Sequence, residues 1–298
     1  MKKVIGIIGL GKMGQNITLN LLEKKYEVVV YNRSPDKIKK MQKQGAIPSY
    51  SVKEFSEKLP QQKIILMMLT AGKPVDESIK NLLPFLSKND IIIDGGNSFY
   101  KDSIKRCNFL KNKGIDFIDM GTSGGLEGAR SGASLTIGGD KEVFEKIEYL
   151  FKDIAAKDGC VYFGPSGAGH FTKMVHNGIE YAMLEAYAEG FELLRKCPYK
   201  LKLKEVAKVW NNSSIIRSYI TELIEKILKK DSSLKNTKGI IGGGETGIWA
   251  YKTAKKFNLD FKTLEHALKK RKLSEKKQTF GTKLISALRH EFGGHEIK

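Results

Sequence analysis

The 298-residue chain predicts an α/β fold: a doubly wound, mainly parallel sheet in the first half, followed by a C-terminal all-helical domain. Three observations carry this expectation. Short apolar runs alternate with amphipathic segments up to about residue 163, and a glycine-rich turn joins the first run to the first amphipathic segment. Beyond Gly164-Pro165-Ser166-Gly167 the apolar residues recur at helical spacing.

Taken in order, residues 4–8, 27–31, 64–69, 91–94, 117–119, 135–137 and 161–163 are the expected strands. A long helix is expected from about 170 to 195, then helices near 202–211, 215–230, 247–257, 261–271 and 275–292. Gly242-Gly243-Gly244 marks a flexible or closely approached loop within the helical half. The expected domains are therefore 1–164 and 165–298.

Composition excludes disorder, fibres and mini-proteins, because a chain of this length buries a sizeable core. Lys and Arg number 52 against 33 Asp and Glu, a net charge of +19 that would attract any anionic partner. The lysines fall in short scattered runs such as Lys269 to Lys272, without the interleaved aromatics of a base-stacking surface, so they read as solvated helix faces. No nucleic-acid partner is expected. Cys107, Cys160 and Cys197 form neither a disulfide framework nor a metal spacing, and no metal is expected. Residues 1–10 read as a strand and not a signal peptide, since Gly6 and Gly9 interrupt the apolar run. No segment approaches the roughly 18 apolar residues of a membrane span, so the expected location is cytoplasmic with no membrane partner.

Gly9-Leu10-Gly11-Lys12-Met13-Gly14 follows the first expected strand and opens a helix, the context in which this glycine spacing binds a dinucleotide. The first glycine permits the turn, the second admits a pyrophosphate to the helix N-terminus, and the third lets helix and strand pack. The first domain is thus of Rossmann type. The second strand ends in Tyr31-Asn32-Arg33-Ser34, with no acidic residue to hold a ribose 2′-hydroxyl. Asn32, Arg33 and Ser34 instead offer a guanidinium and small donors to a 2′-phosphate, which favours NADP; Ser34 also suits the cap of the next helix.

Lys173, His176, Asn177, Glu180 and Tyr181 stand at offsets 0, 3, 4, 7 and 8 and so share one face of a helix, where an interdomain cleft is expected. Dehydrogenation of an alcohol needs a base. A lysine in a partly desolvated cleft can serve as one, and Glu180 two turns along can supply an acid. A solvated charge stripe is the plain alternative.

Four segments together resemble the 6-phosphogluconate dehydrogenases of the shorter bacterial type, within the β-hydroxyacid dehydrogenase superfamily. They are Asp94-Gly95-Gly96-Asn97-Ser98, Ser123-Gly124-Gly125 with Glu127-Gly128-Ala129-Arg130, the helix from Lys173 through His176-Asn177-Gly178-Ile179-Glu180-Tyr181, and Arg289 through His295. The resemblance spans essentially the whole chain. It implies oxidative decarboxylation of 6-phospho-D-gluconate to D-ribulose 5-phosphate with reduction of NADP, by a homo-oligomer (dimer or tetramer) of the pentose phosphate pathway. By the same resemblance Lys173 is the general base and then acid at C3, and Glu180 protonates C1. Leu69, Thr70, Ala71 and Asn97 join the glycine loop at the cofactor. Asn97, Ser123, Gly124, Gly125, His176, Asn177 and Tyr181 hold the sugar acid, and Arg271, Arg289 and His295 its phosphate. In longer relatives the C-terminal Arg and His come from the neighbouring subunit, so both an in-chain and a partner's site are open.

Two positions depart from the family. Ile248 stands where a Lys or Arg usually helps hold the phosphate, with Lys252 nearby, and Phe99 replaces a polar residue. Ile248 keeps open a non-decarboxylating β-hydroxyacid dehydrogenase. The basic charge keeps open a nucleic-acid-binding protein without catalysis.

Overall fold

The computed structural model describes residues 3–297, so Met1, Lys2 and Lys298, at the ends of the expected domains, lie outside the described residues. The chain forms two compact units that divide between residues 174 and 175.

The first unit holds one eight-stranded sheet: β1 (Val4–Ile8), β2 (Glu27–Tyr31), β3 (Ile47–Ser49), β4 (Ile64–Met67), β5 (Ile91–Asp94), β6 (Asp116–Ser123), β7 (Ala133–Gly139) and β8 (Ala155–Gly164). Their order is β3-β2-β1-β4-β5-β6-β7-β8, parallel throughout except for the antiparallel pair β6–β7. Side chains alternate across each strand and both faces are apolar. Val28 and Val30 join one core with Ile17 and Leu21, whereas Val29 joins another with Phe55, Ile65 and Ile79.

β1, β2 and β5 coincide with the expected strands. β3 was not expected, because a three-residue edge strand containing Pro48 carries almost no periodic signal. The last three strands run longer than their apolar centres. Gly121 pairs with Thr136 and Ser123 with Ser134, so ladder bonding extends β6 and β7 through small and polar residues. The expected 64–69 run stops at Met67, leaving Leu69 in the loop.

Between β1 and β4 the strand order reverses, and ligands collect beyond the carboxyl ends of strands at such a point. The loops that emerge there begin at Gly9 and at Met68.

The helix Ala168–Lys196 begins in the first unit and continues into the second. The second unit adds Leu203–Asn211, Tyr219–Lys230, Glu245–Lys256, Lys262–Leu273 and Phe280–Gly293. Its core joins Leu184 and Phe191 to Ile224, Leu228, Leu284 and Leu288. Two helices start four or five residues later than expected, and local capping is the reason. Ser218 Oγ accepts the Thr221 N–H at 3.1 Å, and Thr279 forms a capping box with Thr282. Among the described residues no helix is long and apolar enough to cross a membrane.

Candidate active site

The three glycines of the first loop do different work. Gly9 has φ 98°, and a Cβ there would stand 2.5 Å from the Met68 carbonyl oxygen. A Cβ on Gly14 would overlap the Gly9 carbonyl oxygen. Both are therefore required by packing. Gly11 faces open space and caps the helix Lys12–Glu23, which has no side-chain cap and no acidic residue in its first turn. Its N-terminal N–H groups suit an anion, and the loop fits a nucleotide pyrophosphate. Within the same loop Leu10 is fully buried, Met13 packs on the core and Lys12 is exposed.

Asn32 acts as a strut. Its Oδ1 accepts the Leu10 N–H at 2.9 Å and its Nδ2 donates to the Ser34 carbonyl at 3.3 Å, which fixes the glycine loop to the end of β2. Only one of the two Nδ2 hydrogens is used in this way, and Asn32 is partly exposed beside Arg33. Arg33 and Ser34 are exposed, and Arg33 makes no hydrogen bond or ion pair among the described residues. Ser34 occupies the cap position of the helix Pro35–Gln42 without a side-chain capping bond. Leu69 abuts Gly9 and Gly96, since a Cβ on Gly96 would stand 2.5 Å from the Leu69 carbonyl oxygen. Ala71 is half-buried and Thr70 exposed.

Asn97, exposed after β5, is presented by a buried network that sequence reasoning did not identify. Asp94 Oδ1 accepts the Gly96 N–H at 3.2 Å, and Oδ2 accepts the Ser98 hydroxyl at 2.7 Å and Arg106 Nη1 at 3.1 Å. Arg106 also donates to Asp76 at 2.7 Å and to the Gly72 carbonyl at 3.2 Å. One guanidinium thus ties the turn before Asn97 to the segment after Ala71. No local signal marks Arg106, which stands on an ordinary amphipathic helix. Phe99 packs edge-on against Tyr100, whose ring meets Phe171 in the same way. An apolar ring at this position therefore has a packing role.

Lys173 is buried, at 7% exposure, and its Nζ donates to Ser123 Oγ at 2.6 Å. After Ser123, Gly124 (φ 106°) and Gly125 (φ 65°) turn the chain into a short helix in a conformation that strains other residues.

Further along the same helix, in the second unit, His176 Nδ1 lies 3.0 Å from Asn177 Oδ1 and 3.9 Å from Glu180 Oε2. Tyr181 bonds Thr246 at 3.3 Å, and the Arg271 guanidinium lies 3.9 Å from its ring centre. Arg271, itself buried, donates to the Gly242 carbonyl at 3.0 Å, while Arg289 Nη2 lies 3.2 Å from where a Gly243 Cβ would stand. The triple glycine is thus a closely approached loop around two arginines of the same chain. Burial lowers the affinity of both guanidiniums for their protons. For Arg289, with the charge of Arg271 adding to burial, the value is pushed down to about 10, which leaves it cationic at neutral pH. Two desolvated cations beside glycine backbone suit an anion such as a phosphate. His295 is exposed and turns back over the end of its helix, its carbonyl 2.8 Å from His290 Nδ1. Ile248 and Lys252 are both exposed one helical turn apart.

The fold also assembles a group that no spacing revealed. Ligand atoms of Glu185, Glu189 and His266 lie within 4.8 Å of one another. Lys270 Nζ, 3.1 Å from Glu189, supplies counter-charge, His266 Nε2 lies 3.0 Å from the same carboxylate, and burial raises the pKa of the Glu185 carboxyl. This arrangement is that of a cross-helix ion-pair cluster.

Residues 4–164 match the family described as the NAD binding domain of 6-phosphogluconate dehydrogenase, and residues 169–288 match its C-terminal domain. The chain is 42% identical over 291 residues to the Bacillus subtilis protein YqeC, provisionally named a 6-phosphogluconate dehydrogenase, with 98% of each chain covered. It is 37% identical over 295 residues to a Haloferax volcanii protein named as an NAD(+)-dependent, decarboxylating 6-phosphogluconate dehydrogenase, again covering 98% of each. Among solved structures it is similar to Plasmodium falciparum 6-phosphogluconate dehydrogenase, described in its apo form and in complex with NADP+ and with 6-phosphogluconate. That likeness has a TM-score of 0.82 and 34% identity, covering 91% of this chain and 62% of the longer one.

Proposed function

The chain belongs to the 6-phosphogluconate dehydrogenase family, and from that premise we propose that it oxidises 6-phospho-D-gluconate at C3 with NADP, releasing CO2 and forming D-ribulose 5-phosphate. The observation that carries this reading is the buried Lys173 amine held against Ser123 on the helix that also bears His176, Asn177 and Glu180. When bound, the nicotinamide accepts the hydride from C3. Lys173 takes the C3 hydroxyl proton as that hydride leaves, and then returns a proton to the C3 oxygen as the carbon–carboxylate bond breaks into an enediol. Glu180 delivers the proton to C1 that completes the ketose. Ser123, Gly124, Gly125, Asn97, His176, Asn177 and Tyr181 hold the sugar acid, and Arg271 and Arg289 the phosphate, with His295 as a further contact at the tail. NADPH and CO2 measured together on 6-phosphogluconate, beside NAD and gluconate controls, test the reaction. Turnover of gluconate without CO2 would instead favour the non-decarboxylating β-hydroxyacid reading that Ile248 raises.

Support for NADP is the exposed Arg33 and the absence of an acidic residue at the end of β2. A charged hydrogen bond of this kind contributes about 1.5–3 kcal/mol. Arg33→Ala is therefore expected to raise the KM for NADP roughly tenfold or more while leaving that for NAD little changed. Equal losses with the two cofactors would remove Arg33 from the 2′-phosphate.

Arg289→Ala is expected to raise the KM for 6-phosphogluconate by roughly 10–100-fold, with a smaller effect on kcat, because a forked contact to phosphate contributes mainly to binding. An unchanged KM would place the phosphate elsewhere.

A further inference from the structure

Asp119 and Gly121 have no part in the reaction as proposed, yet with Ser123 they form one face of β6, since alternate residues of a strand point the same way. All three meet the first turns of the helix that carries Lys173. Asp119, fully buried, accepts the Gly167 N–H through Oδ1 at 2.6 Å and the His170 N–H through Oδ2 at 2.8 Å. Gly121 leaves the space through which the Lys173 stem passes. A Cβ there would stand 3.0 Å from Lys173 Cγ and overlap both Lys173 Cβ and Thr136 Oγ1. Ser123 meets the tip of the same side chain at 2.6 Å.

Neighbouring elements fasten the same turn. Thr136 Oγ1 donates to the Gly169 carbonyl at 2.9 Å, and Ser103 Oγ shares a 2.7 Å hydrogen bond with His170 Nδ1. Strand and helix come this close because Gly169 has no side chain: a Cβ would stand 2.6 Å from the Asp119 carbonyl oxygen.

We infer that this face of β6 is a template that sets the Lys173 amine for reaction: Asp119 anchors the start of the helix, Gly121 seats the stem and Ser123 receives the tip. The inference rests on the reading of Lys173 as the acid–base group. A buried carboxylate that takes two N–H groups at a helix N-terminus is favoured by charge-assisted bonding and by the helix dipole, so the anchor is stiff. A lysine has four side-chain torsions. Fixing its backbone, stem and tip before substrate arrives removes an ordering cost from the chemical step.

Two variants probe the template independently. Asp119→Asn keeps the volume but turns an amide NH2 toward one of the two N–H groups it must satisfy. Gly121→Ala adds a methyl group to the seat without changing charge. Each is expected to lower kcat on 6-phosphogluconate by roughly 10–100-fold while the substrate KM and the cofactor Kd, measured by calorimetry, stay within about threefold. In Gly121→Ala the ascending limb of the kcat/KM pH profile should move to higher pH, because an amine lifted from its buried seat is better hydrated and holds its proton more firmly. In Asp119→Asn, amides 167–172 should exchange hydrogen faster while the strands keep their protection. Native kcat with an unshifted limb in either folded variant would overturn the template, and so would an activity loss that tracks global unfolding. Lys173→Ala separates the two levels. Retained turnover there defeats the acid–base assignment itself, whereas its loss beside native-like Asp119→Asn and Gly121→Ala defeats only the template.

Discussion

Alanine at position 173 is expected to lower turnover of 6-phosphogluconate by roughly 10²–10⁴-fold, near the upper end because one amine is asked to move a proton in two successive steps. Cofactor binding should persist, since the glycine loop follows β1 and is built from Gly9, Gly14, Met68 and Asn32. Single-turnover absorbance at the reduced nicotinamide band measures the first loss, and calorimetric titration with NADPH measures the retained binding. Glu180→Ala provides the contrast. It should still reduce the cofactor and release CO2 but form the ketose slowly, because its proposed proton goes to C1 after the carboxylate has left. An alanine variant with near-native turnover would require another base, and matching losses in every step from Glu180→Ala would assign it to binding instead.

Arg106→Ala should be the most damaging substitution outside the proposed chemistry. It would leave Asp94, which has no exposed surface, without its cationic partner, and would take one donor from the Gly72 carbonyl, which keeps the Val75 N–H at 3.0 Å. Removing one member of a buried pair costs about 3–5 kcal/mol, because the remaining charge keeps its desolvation penalty. The exposed contact to Asp76 contributes little of this. Thermal unfolding should shift downward by on the order of 10 °C. Arg106→Lys should recover part of the loss, since an ammonium restores the charge but not the three-way fork. A variant as stable as the parent would mean that water reaches Asp94 and replaces the guanidinium.

Much of this molecule was legible before folding was considered. The glycine loop, the strand that precedes it and the stripe from Lys173 to Tyr181 are local features, so helix and turn geometry place their atoms from a window of a dozen residues. Strands β1, β2 and β5 were equally plain because their apolar runs are dense and short. Less legible were β3, whose proline weakens its signal, and the polar ends of β6 and β7, which are strands because each has the other as a partner. Asn32 has a role that its residue type alone did not announce. Its residue type suits a phosphate, but its position relative to Leu10 makes it part of the loop's frame.

Residue type and short-range spacing were enough for the class of fold, the glycine loop and the helix face that Lys173, His176, Asn177, Glu180 and Tyr181 share, because local geometry carries those properties. How those side chains are held depends on contacts between segments far apart in the chain. Asp119 reaches amides 48 and 51 positions away, Ser123 meets a lysine 50 positions on, and Arg271 and Arg289 gather around one glycine loop. The register between a strand and a distant helix comes from the burial of the whole sheet, the sum of many small packing terms, each too weak to leave a mark in the chain around it.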